Sequence, residues 1–307
     1  MQEKKEAIIA FFEGFSGDVR FDEPMAPYTS LKTGGVASAI VFPESPEKVA
    51  DLVCRMRTSA IPFFMLGAGS NLLISDDGID AVVVQLGNLS QGTLTGRETF
   101  YAEAGLSYPR LSIYAEKQGL SGLEFAAGIP GTVGGAVAMN AGILGEETAS
   151  ILKEITIVTA EGAIQTLPKE AVPFSYRNSG LPEGTIILSA EFRLQAADVG
   201  EIERKRMSLL KRRRETQPLS YPNAGSIFKN PASGGSAGAL IESVGLKGYQ
   251  IGEAQISERH GNFIINLGHA TSSDVLALIR FARGRVLLGK GIALETEIKI
   301  IGEALCQ

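Results

Sequence analysis

The sequence predicts an α+β protein of more than one domain, on three observations. Its 307 residues suffice for a large buried core and for two domains. Strand and helix patterns alternate early in the chain, then give way to hairpin-like strand pairs in the middle. A polar, charged stretch at 196–225 interrupts the pattern and marks the clearest domain break.

The elements follow in order. Residues 4–14 read as a short helix and 37–43 as a strand. Residues 45–60 form a helix, with Ser45 as cap, Pro46 in the first turn, and Val49, Leu52, Val53 and Met56 on one face. Residues 62–66 and 81–86 are buried-type strands. Residues 99–105 are a strand, "SYPRLSIYAEKQGL" holds a helix, and 154–168 make a hairpin turning at Glu161-Gly162. Then come a strand at 185–194 and a charged helix at 200–215. The last part reads as strand 226–229, helix 237–245, strands near 249–257 and 262–266, a helix over 272–289, and a closing strand over 293–302. Val275, Leu278, Ile279, Ala282 and Val286 repeat at helical spacing. On a strand, Ser226 and Phe228 would face one way, Ile227 and Lys229 the other. Glu295, Glu297 and Lys299 would share a face opposite Leu294, Ile298 and Ile300, the ordinary pattern of a solvent-facing edge strand.

Composition narrows the function. Hydrophobic residues are 44% and charged residues 21%, as in a soluble globular protein. The net charge of −5 speaks against general nucleic-acid binding. Two cysteines, Cys54 and Cys306, make no disulfide framework, and with the two histidines they show no zinc spacing, so no metal is expected. No run of about 20 apolar residues suggests a membrane span. The N-terminus lacks the long apolar core of a signal peptide, and the sparse cysteines suit a reducing cytoplasm, where the protein is expected. There are 36 glycines, about 12% against a usual ~7%, without a repeat period.

Seven of these glycines fall in two segments. "LGAGSN" follows a strand, but Leu72 stands where a dinucleotide fingerprint has its third glycine. The following "LLISDDG" is an apolar run and a turn, not the helix that fingerprint needs. Gly67, Ala68, Gly69, Ser70 and Asn71 instead suit a phosphate-binding nest, or a tight turn between strands. The second segment, "AAGIPGTVGGAVAMNAG", has five glycines, no charge, and only Thr132 and Asn140 as polar side chains. It lacks the Gly-Lys-Ser/Thr of a P-loop. Pro130 and Thr132 can start a helix running through Ala136 and Met139, and a glycine-lined helix start suits pyrophosphate. The alternative is close packing of a helix on a sheet.

Three other motifs carry two readings each. "GGSAG" matches a nucleophile elbow, with Glu253, Glu258 and His260 downstream, but a polar, proline-bearing stretch leads into Ser236 where a buried strand is needed. "ERKRMSLLKRRRE" is a solvated helix face or an anion site. Tyr176 and Arg177 lie in a loop between strands, ordinarily a surface position.

Taken together, "YTSLKTGG", "LGAGSNLL", "GIPGTVGGAVAMNAG", "YRNSG", "NAGSIFKNP" and "LETEIKIIGE" occur in this order along nearly the whole chain. The sequence resembles the UDP-N-acetylenolpyruvoylglucosamine reductases of bacterial peptidoglycan synthesis, the MurB family. With no insertion evident between Arg177 and Ser226, it is similar to the shorter subclass that lacks an inserted tyrosine loop. The resemblance implies a two-part FAD-binding fold of the vanillyl-alcohol-oxidase type (1–88 and 89–198) followed by a smaller α/β substrate-binding domain (199–307). It implies FAD as cofactor, held by Gly67, Ala68, Gly69, Ser70, Asn71, Gly128, Gly131, Thr132, Gly134, Gly135, Asn140 and Gly142. NADPH is the implied hydride donor and a UDP-sugar enolpyruvyl ether the implied substrate. Arg177, Ser226 and Glu297 are the implied catalytic residues, Ser226 as proton donor and Arg177 as carboxylate grip, with Glu295 second to Glu297. Tyr176, Lys229, Asn230 and, on a looser match, Arg214 are the implied substrate contacts. A monomer or weak oligomer is expected, with dinucleotide and sugar using one pocket in turn. The readings that compete are another flavin oxidoreductase of this fold, a Ser236 hydrolase without flavin, and a nucleotide-binding regulator without turnover.

Overall fold

The structure is a computed structural model that describes residues 2–302; Cys306 lies outside them. By contacts the chain divides into two compact units, each discontinuous in sequence. The first takes the chain through Arg20, then Ala39–Ala68 and Ala81–Arg213. The second takes Phe21–Ser38, Gly69–Asp80 and the chain from Arg214 onward. This differs from a C-terminal domain beginning at 199. The helix Val199–Thr216 runs across the division, and two short segments from the first 80 residues belong to the second unit.

The first unit holds two hydrophobic cores. One gathers Ile8, Phe12, Val41, Val49, Leu52, Val53, Met56, Val82 and Val84. The helix Pro46–Thr58 forms as its sequence predicts. Ser45 Oγ accepts from Lys48 N–H at 3.3 Å, satisfying an end group that the helix leaves open. Its apolar stripe lies in this core, and the strands Phe63–Leu66 and Ile79–Gln85 pair in parallel. The other core lies under a five-stranded antiparallel sheet of order Ile164–Pro168, Leu152–Val158, Ile186–Arg193, Thr99–Glu103, Gly92–Leu94. The hairpin at Glu161-Gly162 turns as expected, Gly162 taking φ +93°.

The second unit has one core. It collects Ile227, Phe228, Leu240, Ile241, Ile256 and Ile264 with Leu31 and Leu73. Val275, Leu278, Ile279, Ala282 and Val286 of the helix Ser272–Lys290 are all buried in it, as the spacing predicts. That helix begins with a capping box between Thr271 and Asp274 and ends at Gly291 with φ +68°. Gln250–Ile251, Ala254–Ile256 and Ile264–Asn266 form an antiparallel meander, and Lys299–Ile301 pairs in parallel with Leu72–Ile74.

Two expected strands are shorter than their sequence pattern. The closing strand spans only Lys299–Ile301. Residues 226–229 form no ladder; one bridge joins Phe228 to Thr296. Ile227 and Phe228 are both buried. Among the described residues, no helix is long and apolar enough to cross a membrane, and no group of His, Cys, Asp or Glu could hold a metal ion.

Candidate active site

In the first unit, the glycine segment is shaped by how closely main chain approaches main chain. Val133–Ala138 is a short helix capped by Thr132, whose Oγ1 accepts from Gly135 N–H at 3.4 Å. Val133 N–H donates to Leu106 O at 2.9 Å and Gly134 N–H to Ala104 O at 2.8 Å. The first three helical N–H groups are thus spent inside the protein. The expectation that the helix start itself offers them to phosphate is corrected accordingly. The preceding turn is different. Among the described residues, no protein acceptor engages the N–H groups of Gly131 and Thr132. Gly131 has φ +145°, open only to glycine. A Cβ on Gly67 would fall 2.6 Å from Thr132 Oγ1, so the two glycine segments meet here without room for a side chain. An uncharged, amide-lined turn of this kind fits a pyrophosphate held by backbone donors.

Other residues of the segment have structural employment. A Cβ on Gly134 would lie 2.9 Å from Ala104 Cβ, and one on Gly142 would lie 2.3 Å from Glu146 O. Both glycines permit close packing, the alternative to phosphate binding. Gly128 faces Ile143, and Gly135 sits over Thr132. Asn140 is buried; its Nδ2 donates to Ser175 O at 3.2 Å and its Oδ1 accepts from Ala149 N–H at 3.0 Å. It therefore braces the loop carrying Tyr176 and Arg177. These are the central residues of a tight turn closed by Ser175 and Asn178, whose N–H groups each donate to the other's carbonyl. Arg177 takes φ +58°, and its guanidinium lies 5.0 Å from the centre of the Tyr176 ring.

In the second unit, Gly69 has φ +62°, and a Cβ there would lie 2.0 Å from Tyr28 O. The chain after it enters the strand Leu72–Ile74, not the helix that a dinucleotide fingerprint needs. Asn71 faces the catalytic candidates. Its Nδ2 donates to Glu297 O at 3.1 Å, and its carbonyl accepts from Lys299 N–H at 3.1 Å.

The structure brings Ser226, Lys229 and Glu297 into one cluster by main-chain bonds. Glu297 N–H donates to Ile227 O at 2.8 Å, and Lys229 N–H donates to Glu295 O at 2.9 Å. Lys229 Nζ lies 3.5 Å from Glu295 Oε2, an exposed pair of small energetic weight. Glu295 is exposed and Glu297 half-buried. No protein group hydrogen-bonds the Ser226 hydroxyl among the described residues. Asn230 Oδ1 accepts from Ala237 N–H at 3.0 Å, tying its loop to the next helix. Arg214 is exposed, and Arg259 donates to its carbonyl at 3.0 Å. Arg213 is half-buried, and burial pushes its guanidinium pKa down.

The hydrolase reading fails on geometry. Ser236 caps the helix Ala237–Ser243, accepting from Ala239 N–H at 3.3 Å, and no strand leads into it. His260 is engaged elsewhere. Its Nδ1 accepts from Asn262 N–H at 3.2 Å, and burial, with Lys247 nearby, lowers its pKa. Asn262, whose side chain holds Phe228, lies outside every motif of the sequence.

Two family models match the chain. An FAD binding domain model matches residues 37–168. The C-terminal domain model of UDP-N-acetylenolpyruvoylglucosamine reductase matches residues 217–301. A UDP-N-acetylenolpyruvoylglucosamine reductase of Syntrophus aciditrophicus is 44% identical over 94% of this chain and 93% of its own. One from Caldanaerobacter subterraneus is 44% identical over 94% and 95%. The crystal structure of the Thermus caldophilus reductase (MurB) superposes with a TM-score of 0.79 and 37% identity, over 93% of this chain and 98% of that one. An α+β fold with an FAD-binding part followed by this C-terminal domain defines a flavin-dependent oxidoreductase. The chain belongs to the UDP-N-acetylenolpyruvoylglucosamine reductase family.

Proposed function

We propose that this protein reduces the enolpyruvyl ether of UDP-N-acetylglucosamine enolpyruvate to the lactyl ether of UDP-N-acetylmuramate, for peptidoglycan synthesis, with NADPH as reductant. The observation that supports this reading most is the cluster around residue 227, where one short segment and the stretch leading into the closing strand carry Ser226, Lys229 and Glu297. Bound FAD supplies the hydride carrier; the amide-lined turn at Gly131-Thr132 and its neighbour Gly67 are the part of the first unit that suits its pyrophosphate. Ala68, Gly69, Ser70 and Gly128 complete the glycine loops assigned to the cofactor.

The remaining steps belong to the protein's own side chains. Addition of hydride to the terminal carbon of the enolpyruvyl group drives negative charge onto its carboxylate. Arg177 grips that carboxylate with two parallel N–H donors and stabilises the enediolate. The Tyr176 ring beneath its guanidinium and the brace from Asn140 fix its plane. The adjacent carbon then takes a proton from the Ser226 hydroxyl, which has no competing protein partner among the described residues. Lys229 polarises the group, and Glu297 orients water or donates a hydrogen bond when protonated. Asn230 and Arg214 contact the sugar nucleotide. The enzyme acts in the cytoplasm as a monomer or weak oligomer, and NADP⁺ competes with the UDP-sugar.

An anaerobic visible spectrum tests the reading. A flavin band that bleaches with NADPH and returns with the UDP-enolpyruvyl sugar supports both half-reactions. Bleaching without return would favour a flavin oxidoreductase acting on another small molecule. UDP-sugar binding without either change would favour a regulator, and a colourless protein that FAD cannot reconstitute would remove the flavin altogether.

A further inference from the structure

Residues 226–229 must hold a functional hydroxyl in place without a regular strand to do it. One side of this segment is held by residues 295–297. The other side is held by a single buried residue, Asn262, which is 4% exposed. Phe228 N–H donates to Asn262 Oδ1 at 2.9 Å, and Asn262 Nδ2 donates to Phe228 O at 2.8 Å. The amide thus offers one acceptor and one donor to a single residue's main chain, as a neighbouring strand would. The Asn262 carbonyl also accepts from Ile227 N–H at 2.9 Å. Its own N–H donates to His260 Nδ1, so both its side chain and its main chain are engaged. The bonds reach across 34 residues of sequence.

We propose that Asn262 is a positioning residue for the reduction, setting the main chain of Ile227 and Phe228 and through it the place of Ser226. The inference rests on Ser226 being the proton donor. With no protein partner on its hydroxyl among the described residues, Ser226 is placed by its backbone, and Asn262 is the side chain that holds that backbone. No residue of similar size replaces the amide. An ionised Asp offers acceptors only, so the Phe228 carbonyl would lose its donor and face a charge. Serine is too short to reach both groups. A displacement of about 1 Å at a reacting group can cost ~10²-fold in rate.

The test uses Asn262→Asp and Asn262→Ser in the full chain loaded with FAD, beside Ser226→Ala. Flavin content, melting temperature, the rate of flavin reduction by NADPH, and the rate of sugar-dependent reoxidation are measured for each, well below melting. The expected result for the Asn262 variants is normal flavin content and reduction by NADPH. Reoxidation by the UDP-enolpyruvyl sugar should slow ~10- to 100-fold. The KM for the sugar should stay within about threefold, because the fault is in placing the proton and not in binding. Wild-type reoxidation in a folded variant would overturn the proposal. So would equal losses in both half-reactions, or failure of both variants to fold, since Asn262 would then serve the fold alone. If Ser226→Ala itself turns over normally, the proton-donor reading fails; if only Ser226→Ala stalls, that reading stands and this inference fails.

Discussion

In the proposed function, residues 128–142 and residues 226–230 take opposite parts, the first acting by its main chain and the second by its side chains. In the first, glycines clear space and the N–H groups of Gly131 and Thr132 have no protein acceptor among the described residues, while the Thr132 and Asn140 side chains bond within the protein. In the second, the main chain is tied on both sides, which on the proposed function leaves Ser226 and Lys229 to act by their side chains. The difference follows from what each stretch must hold. A pyrophosphate needs several weak donors in a fixed curve, which backbone amides provide. A proton transfer needs one group at one place, which only a held side chain provides.

Four substitutions would break or sharpen this contrast. Arg177→Lys tests a place where the proposed function gives the first unit a working side chain. Losing the two-pronged grip should lower kcat/KM on the order of 10²-fold with flavin content unchanged, as steady-state kinetics and absorbance would show. Asn140→Leu should destabilise the protein by roughly 2–4 kcal/mol in urea unfolding, because Ser175 O and Ala149 N–H lose their partner in a buried place. Thr132→Ala removes a cap and should cost about 1 kcal/mol in the same assay.

Asp76→Asn serves as a control remote from both stretches in sequence. Asp76 accepts from Ser272 N–H at 2.8 Å and from Ser273 N–H at 2.8 Å, at the start of the helix Ser272–Lys290. Desolvation works against its charge, but these bonds and one from the Ser273 hydroxyl outweigh it and hold the pKa below the usual range. A carboxyl depressed on folding adds stability above its unfolded pKa and loses it as pH falls through the folded value. Asp76 is exposed, so screening keeps the effect small. The variant should be about 0.5 kcal/mol less stable at pH 7, with the gap closing below the ordinary carboxylate range.

Much of the fold was legible because periodicity and caps are local. The stripe of Pro46–Thr58 and that of Ser272–Lys290 were both readable, and both lie in cores. The active-site candidates were legible through motif resemblance and through the density of polar groups near Ser226. What was not legible depends on distant partners. Residues 226–229 look like a strand, but they are held by an asparagine side chain 34 residues away instead of by a long ladder. The resemblance implies Asn140 as a cofactor contact; its bonds to Ser175 and Ala149 could not be seen from its sequence neighbours. The interrupted second unit was hidden for the same reason, since nothing local in 21–38 or 69–80 joins them to residues after 214.

The most direct test of this division compares Gly67→Val with Ser226→Ala in a stepwise anaerobic titration of the flavin spectrum. A side chain on Gly67 would meet Thr132 Oγ1, so that protein should fold and purify with little flavin. Ser226→Ala should be yellow, bleach with NADPH at the normal rate, and fail to regain colour when the UDP-enolpyruvyl sugar is added. Full flavin occupancy in Gly67→Val, or normal recovery of colour in Ser226→Ala, would contradict the assignment of cofactor binding to main chain and of chemistry to side chains.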